Sequence, residues 1–226
     1  MKRLLPFLII LGVALLTATV AAMLYRSKMH PAAQASGAAN VPAPTVAQEH
    51  EDGSIHVRGP SNAPVTLEVY GDFQCPSCAT ATAMVDELQK QYGDQLRVVF
   101  LEFPLAMHQH ALEAAMAAEA AGVQGHFWEM HDMLYRYQPV WSSASNVTPL
   151  FAAYAESLGL DVNRFRNDAK SAEIQARVVS DGDGGVARGV KNTPTIFVNG
   201  RMVENAFRRE VLQEAIDAGL ADKKKS

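Results

Sequence analysis

From Ile55 onward the chain alternates between two hydrophobic periods. Val65-Thr66-Leu67-Glu68-Val69-Tyr70 is rich in β-branched and aromatic residues, is bounded by Pro64 and Gly71, and predicts a strand. Between Cys75 and Tyr92, residues Ala79, Ala83, Met84, Leu88 and Tyr92 recur at helical spacing, and Gly93 stops them. Leu96 to Phe103 predicts a second, mostly buried strand. A strand–helix–strand order implies a right-handed crossover and parallel pairing. Helical patterns follow from His108 to Ala121, continue through Phe127, Trp128, Met130, Met133 and Leu134, and recur over Val147–Leu158 and Val162–Val179. Thr195-Ile196-Phe197-Val198, Asn199-Gly200 and Arg201-Met202-Val203 predict a hairpin, because both turn residues tolerate φ > 0. Glu204 to Leu220 predicts a last amphipathic helix, closed by Gly219. The order is β-α-β, a helical block, then β-β-α, an α/β arrangement.

The first 53 residues have another texture. After Met1-Lys2-Arg3 the chain is uncharged to Tyr25, and Leu4 to Leu24 is 21 residues, close to the ~20 that an α-helix needs to cross a bilayer. Cleavable signal peptides have apolar stretches of only about 7–15 residues, and Ala33-Gln34-Ala35 comes late for a cut. Residues 1–26 therefore predict an N-terminal transmembrane helix, with a signal peptide as the alternative. Lys2 and Arg3 favour a cytoplasmic N-terminus, against Arg26 and Lys28 on the other side. Residues 27–53 are rich in Ala, Pro, Ser and Gln and predict a flexible linker, roughly 25–30 Å r.m.s. in span. Residues 54–221 form the folded domain, and 222–226 read as a solvated basic tail.

Composition narrows the function. At 226 residues, 48% hydrophobic and 19% charged, the chain is one ordinary domain with residues to spare, not a disordered one. A net charge of −4 argues against nucleic acid as its partner. Two cysteines can build neither a disulfide-stapled scaffold nor a Cys₄ zinc site.

What they can build depends on their spacing, Cys75-Pro76-Ser77-Cys78. Two cysteines placed at random in such a chain fall three apart in about 1% of arrangements. The pair follows a predicted strand and opens a predicted helix. There Cys75 meets free N–H groups and the positive end of the macrodipole, which favour a thiolate. Cys78, one turn further in on the same face, is within reach and more buried. The expected division is that an accessible Cys75 exchanges with an outside sulfur and Cys78 resolves the mixed disulfide. Stabilising the Cys75 thiolate stabilises the reduced pair, so its disulfide becomes a stronger oxidant. Pro76 brings no N–H, and Ser77 could supply a hydroxyl.

Other readings are weaker. A structural disulfide over four residues gains little loop-closure entropy. Zinc needs two more ligands, and His108 and His110 would face apart on a helix. Asp181-Gly182-Asp183-Gly184-Gly185 has Gly at the fifth and Asn192 at the twelfth position of a calcium loop, so it reads as a turn. No cofactor or metal is called for. At Thr193-Pro194, proline suits a strand's first residue and either peptide isomer is open, trans being the ordinary one.

Gly71-Asp72-Phe73-Gln74-Cys75-Pro76-Ser77-Cys78, Phe103-Pro104-Leu105 with His108 and Ala111, Gly125-His126-Phe127-Trp128-Glu129-Met130-His131-Asp132, and Gly189-Val190 with Thr193 to Gly200 occur in this order. Together they resemble the DsbA-like family of thiol-disulfide oxidoreductases over about Gly59 to Leu220. The resemblance implies a thioredoxin-like fold with an inserted α-helical domain at about residues 106–180, forming one wall of a substrate groove. It implies Cys75 and Cys78 as the redox pair and Pro194 in cis beside Cys75. It implies that the Thr193 backbone pairs with an extended substrate. It also implies a monomer in the bacterial cell envelope, oxidising secreted proteins and reoxidised by a DsbB-like membrane partner. A disulfide reductase or isomerase, or a redox-inactive peptide-binding module, are the alternatives. The family often has a buried acid six residues before the first cysteine. Here that position is Val69, and Glu68 beside it should point to the other face of its strand.

Overall fold

The computed structural model describes residues 56–223. The expected transmembrane helix, the linker and the last three residues of the tail lie outside the described residues. Among the described residues, no helix is long and apolar enough to cross a membrane.

Five strands form one sheet in the order β1-β3-β2-β4-β5. They are β1 (His56–Arg58), β2 (Val65–Gly71), β3 (Leu96–Glu102), β4 (Thr195–Val198) and β5 (Arg201–Met202). Strands β2 and β3 run parallel from Val65 opposite Leu96 to Gly71 opposite Glu102, as the crossover requires. The crossover helix is α1 (Pro76–Tyr92). β4 joins β2 antiparallel and β5 closes the hairpin, with Asn199 at φ 48° and Gly200 at φ 76°, the left-handed pair such a turn needs. β1, antiparallel to β3, has no counterpart among the predicted strands, because three residues are too short to show a period.

Between β3 and β4 the chain runs through α2 (Ala111–Gly122), α3 (Phe127–Arg136), α4 (Gln138–Trp141), α5 (Thr148–Ser157), α6 (Val162–Asp168) and α7 (Ala172–Ala187). α8 (Arg209–Lys223) ends the described chain. Four expectations are corrected. Residues 162–179 are not one helix but α6 and α7, separated where Ser171 accepts from Ile174 N as an N-cap. The segment Asp181–Gly185 is not a turn; it lies inside α7. The last helix starts at Arg209 rather than Glu204, after a turn in which Asn205 has φ 57°. It also runs past Gly219, so Asp222 and Lys223 belong to α8 rather than to a tail.

Packing explains two of these glycines. A Cβ on Gly185 would lie 2.8 Å from the Tyr70 ring and 2.9 Å from Phe103, so α7 needs hydrogen there to approach β2. A Cβ on Gly219 would meet Asn199 Nδ2 at 3.0 Å and Val65 Cγ2 at 3.2 Å. Gly219 therefore marks close approach to the sheet, not a helix end.

The strand period sorts the two faces of the sheet. Leu67, Val69, Val98, Phe100, Ile196 and Val198 enter the large core with α1, α8 and the aromatic side chains of α3. Tyr70, Val99, Leu101 and Phe197 enter a smaller cluster under α7. Glu68 lies on this second side, buried, where Arg188 holds both carboxylate oxygens at 2.7 and 2.9 Å. It points away from the cysteines, as the alternation requires.

Candidate active site

The site forms where β2 ends and α1 begins. Cys75 is the N-cap residue of α1, in extended conformation, and its carbonyl accepts from Cys78 N at 3.1 Å and Ala79 N at 3.4 Å. Pro76 occupies the first helical position, where a missing N–H breaks no helical bond. Ser77 turns its hydroxyl back to the Cys75 sulfur, 3.1 Å away. The Thr193–Pro194 peptide, just before β4, is cis. It brings the Thr193 carbonyl to 3.4 Å from Cys75 Sγ, where it accepts from the thiol. Cys75, Pro76, Ser77, Cys78, Thr193 and Pro194, separated by more than a hundred residues of sequence, thus meet at one end of the sheet.

Both cysteines are reduced. Cys75 is only 6% exposed and Cys78 2%. Cys75 is therefore less accessible than a helix start alone suggests, with the Thr193 carbonyl 3.4 Å from its sulfur. The two thiols differ in electrostatics. Hydrogen bonding from the Cys78 thiol, opposed by burial and reinforced by Ser77 and the Cys78 backbone, lowers the Cys75 pKa to about 4. The same bond, together with burial, pushes Cys78 far above a free thiol. One sulfur is built to be an anion and its neighbour to keep its proton.

Sequence reasoning missed the groups that hold this turn. Asp72 is buried, and its carboxylate accepts from Gln74 N at 2.7 Å and Leu105 N at 2.9 Å and meets His108 Nδ1 at 2.7 Å. It thereby ties the turn before Cys75 to the loop after β3. Gln138 on α4 donates from Nε2 to the carbonyls of Phe73 at 2.6 Å and Cys75 at 3.0 Å. The signal for Asp72 was its place three residues before Cys75; Gln138, 63 residues away, gave none. His108 and His110 serve separate contacts, His110 with Glu113 and the Ala144 carbonyl.

Deeper in, Glu102 at the end of β3 is fully buried, and neither carboxylate oxygen has a hydrogen-bond partner. Burial, and then the nearby carboxylates Glu119, Asp181 and Asp72, raise its pKa well above the usual range, which favours the neutral acid over the carboxylate. The buried Tyr135 hydroxyl is also unpartnered, and burial pushes its pKa well up.

The thioredoxin family model matches residues 51–218. The chain belongs to the thioredoxin family. Within that family its fold is DsbA-like. It matches oxidised BdbD from Bacillus subtilis with a TM-score of 0.66 and 25% identity, over 74% of this chain and 93% of that one. It matches DsbA2 from Pseudomonas aeruginosa with a TM-score of 0.59 and 25% identity, over 73% and 94%. Among curated proteins, a Na(+)/H(+) antiporter NhaA 1 from Salinispora arenicola is 42% identical over 167 residues, 74% of this chain but 25% of its own length. The chain spans about a quarter of the curated relatives it matches. The likeness to them is thus a likeness to one module of a larger protein.

Proposed function

We propose that this thioredoxin-family chain is a protein thiol-disulfide oxidoreductase that works as an oxidase. The observation that carries the reading is the Cys75–Cys78 pair at the start of α1, with the Ser77 hydroxyl 3.1 Å from the Cys75 sulfur and the cis Thr193–Pro194 peptide beside it, an arrangement that makes Cys75 the more acidic thiol of the two. In the oxidised chain a substrate thiolate attacks Cys75 Sγ. A substrate–Cys75 bond forms, the Cys75–Cys78 bond breaks, and its electron pair stays on Cys78, which takes up a proton. A second substrate thiolate then attacks the substrate sulfur of this mixed disulfide, and Cys75 leaves as thiolate. The substrate loses two electrons and the pair gains them. Cys75 is the better leaving group because its thiolate is the more stable, which drives the sequence towards oxidised substrate.

The cis Thr193-Pro194 loop supplies the edge against which an extended substrate segment pairs, and the helical block supplies a wall. In this reading the apolar run 4–24 anchors the domain, the linker 27–53 lets it work outside the cytoplasmic membrane, its substrates are secreted proteins, and a DsbB-like membrane partner reoxidises it. The family, and the likeness in fold to BdbD and DsbA2, support the chemistry.

The test is peptide oxidation and insulin reduction by the full chain beside Cys75→Ser. The reading expects turnover by the wild type and none by the variant. Equal activity in both, or none in either, favours a module that binds peptides without redox chemistry.

A further inference from the structure

The helical block does more than flank the site, because it reaches into the turn that carries the reactive sulfur. Gln138 is buried at the start of α4, a short helix made stiff by Pro139 and anchored by the fully buried Trp141, whose Nε1 donates to the Leu134 carbonyl at 2.7 Å. From that fixed point its single amide nitrogen spends both hydrogens on the backbone around Cys75, one on the Phe73 carbonyl at 2.6 Å and one on the Cys75 carbonyl at 3.0 Å. A second amide binds the turn back in the other direction. Gln74 Nε2 donates to the Ser142 carbonyl at 2.8 Å, and its Oε1 accepts from His110 N at 2.6 Å.

The electrostatic consequence follows from the charges involved. Carbonyl oxygens carry partial negative charge, and two of them lie within two residues of the sulfur. The Cys75 carbonyl already accepts from Cys78 N and Ala79 N, but the Phe73 carbonyl, left bare in a dry site, would oppose a thiolate, and the low local dielectric would magnify the effect. The Gln138 NH₂ group covers both with positive charge. It also fixes the Cys75 carbonyl, to which Cys78 N and Ala79 N donate as the first bonds of α1.

We propose that Gln138 is a positioning residue for the Cys75 sulfur, through which the helical block sets how readily that sulfur ionises. The inference rests on the oxidoreductase reading above and adds to it a residue that never touches substrate. The titratable groups around the pair are Cys78 on α1, Asp72 with its partner His108 on the adjoining loops, and Tyr135 on α3; α4 itself contributes none.

The experiment titrates the thiolate absorbance of the reduced full chain in three forms: wild type, Gln138→Met and Gln138→Glu. Methionine keeps the volume and removes the donor; glutamate keeps the shape and adds negative charge. The midpoint should rise in the order wild type, Met, Glu, with the Met variant weaker in thiol ionisation by about tenfold, one pH unit. Midpoints that stay with the wild type, whatever happens to the unfolding temperature, overturn the proposal and leave only a structural role. A wild-type midpoint near that of free cysteine removes the oxidoreductase reading and this inference together, so the two failures are distinct. The wild type supplies a measurement that does not depend on how the variants fold. The side-chain amide signals of Gln138 in NMR should shift with the midpoint of Cys75, and signals that stay flat through that titration overturn the proposal.

Discussion

Replacing Cys78 by alanine removes the largest single influence on the reactive sulfur. The Cys75 pKa falls from 9.0 to about 4, about five units, and at ~1.4 kcal/mol per unit this is about 7 kcal/mol between its two protonation states. Several donors share that total against the opposing effect of burial, and the Cys78 thiol leads them. One hydrogen bond to a charged group contributes about 1.5–3 kcal/mol, so Cys78→Ala should raise the midpoint by about one to two units, to roughly 5–6. The assay is thiolate absorbance against pH on the reduced protein. An unchanged midpoint would mean that Cys78 does not stabilise the charge. A midpoint back near 9.0 would mean that Ser77 and the helix backbone contribute nothing. Linkage gives the wild type a second signature. A depressed folded pKa stabilises the reduced chain fully above the unfolded value and loses that stabilisation as pH falls through the folded one. The unfolding temperature of reduced over oxidised protein should therefore climb from about pH 4 to about pH 9; a flat difference across that window would contradict the thiolate.

Glu102→Gln should flatten a different pH dependence. Because the folded pKa of Glu102 is raised, the folded chain holds a proton that the unfolded chain releases, and stability falls as pH rises above the ordinary carboxylate value of 4.5. The amide cannot titrate, so thermal unfolding of the variant should gain on the wild type as pH rises from 4.5; parallel curves would refute the neutral acid. Arg188→Met should remove the two-point ion pair to the buried Glu68 carboxylate and lower stability in denaturant unfolding, by at most about 3–5 kcal/mol, while the Cys75 midpoint stays in place because the pair lies on the far face of the sheet. A shifted midpoint would implicate Glu68 in the redox chemistry after all.

What the sequence displayed and what it concealed divide along physical lines. β2, α1, β3 and the β4–β5 hairpin were legible because their periods are long or their turn chemistry is specific, Asn199-Gly200 above all. The cysteine pair was legible because helix start and spacing are local features. Glycines misled where packing governed them. Gly185 and Gly219 lie inside helices because the sheet comes too close for a Cβ, and a local reading takes them as breakers. The support of the site was hidden for the opposite reason. Gln138 and Glu102 act through contacts across the fold, and nothing in their own neighbourhood distinguishes them from ordinary polar residues; Asp72 shows only its place three residues before Cys75. The burial of Cys75 was equally hidden, and the Thr193 carbonyl that meets its sulfur lies 118 residues further along the chain.

Equilibrating the Cys75–Cys78 pair in glutathione buffers and quantifying oxidised and reduced protein gives its reduction potential. A thiolate held by Cys78 and Ser77 predicts an oxidising value, nearer to the roughly −120 mV of DsbA than to the roughly −270 mV of thioredoxin. A value at or below about −270 mV, or no disulfide at any glutathione ratio, would contradict an oxidase built on an ionised Cys75.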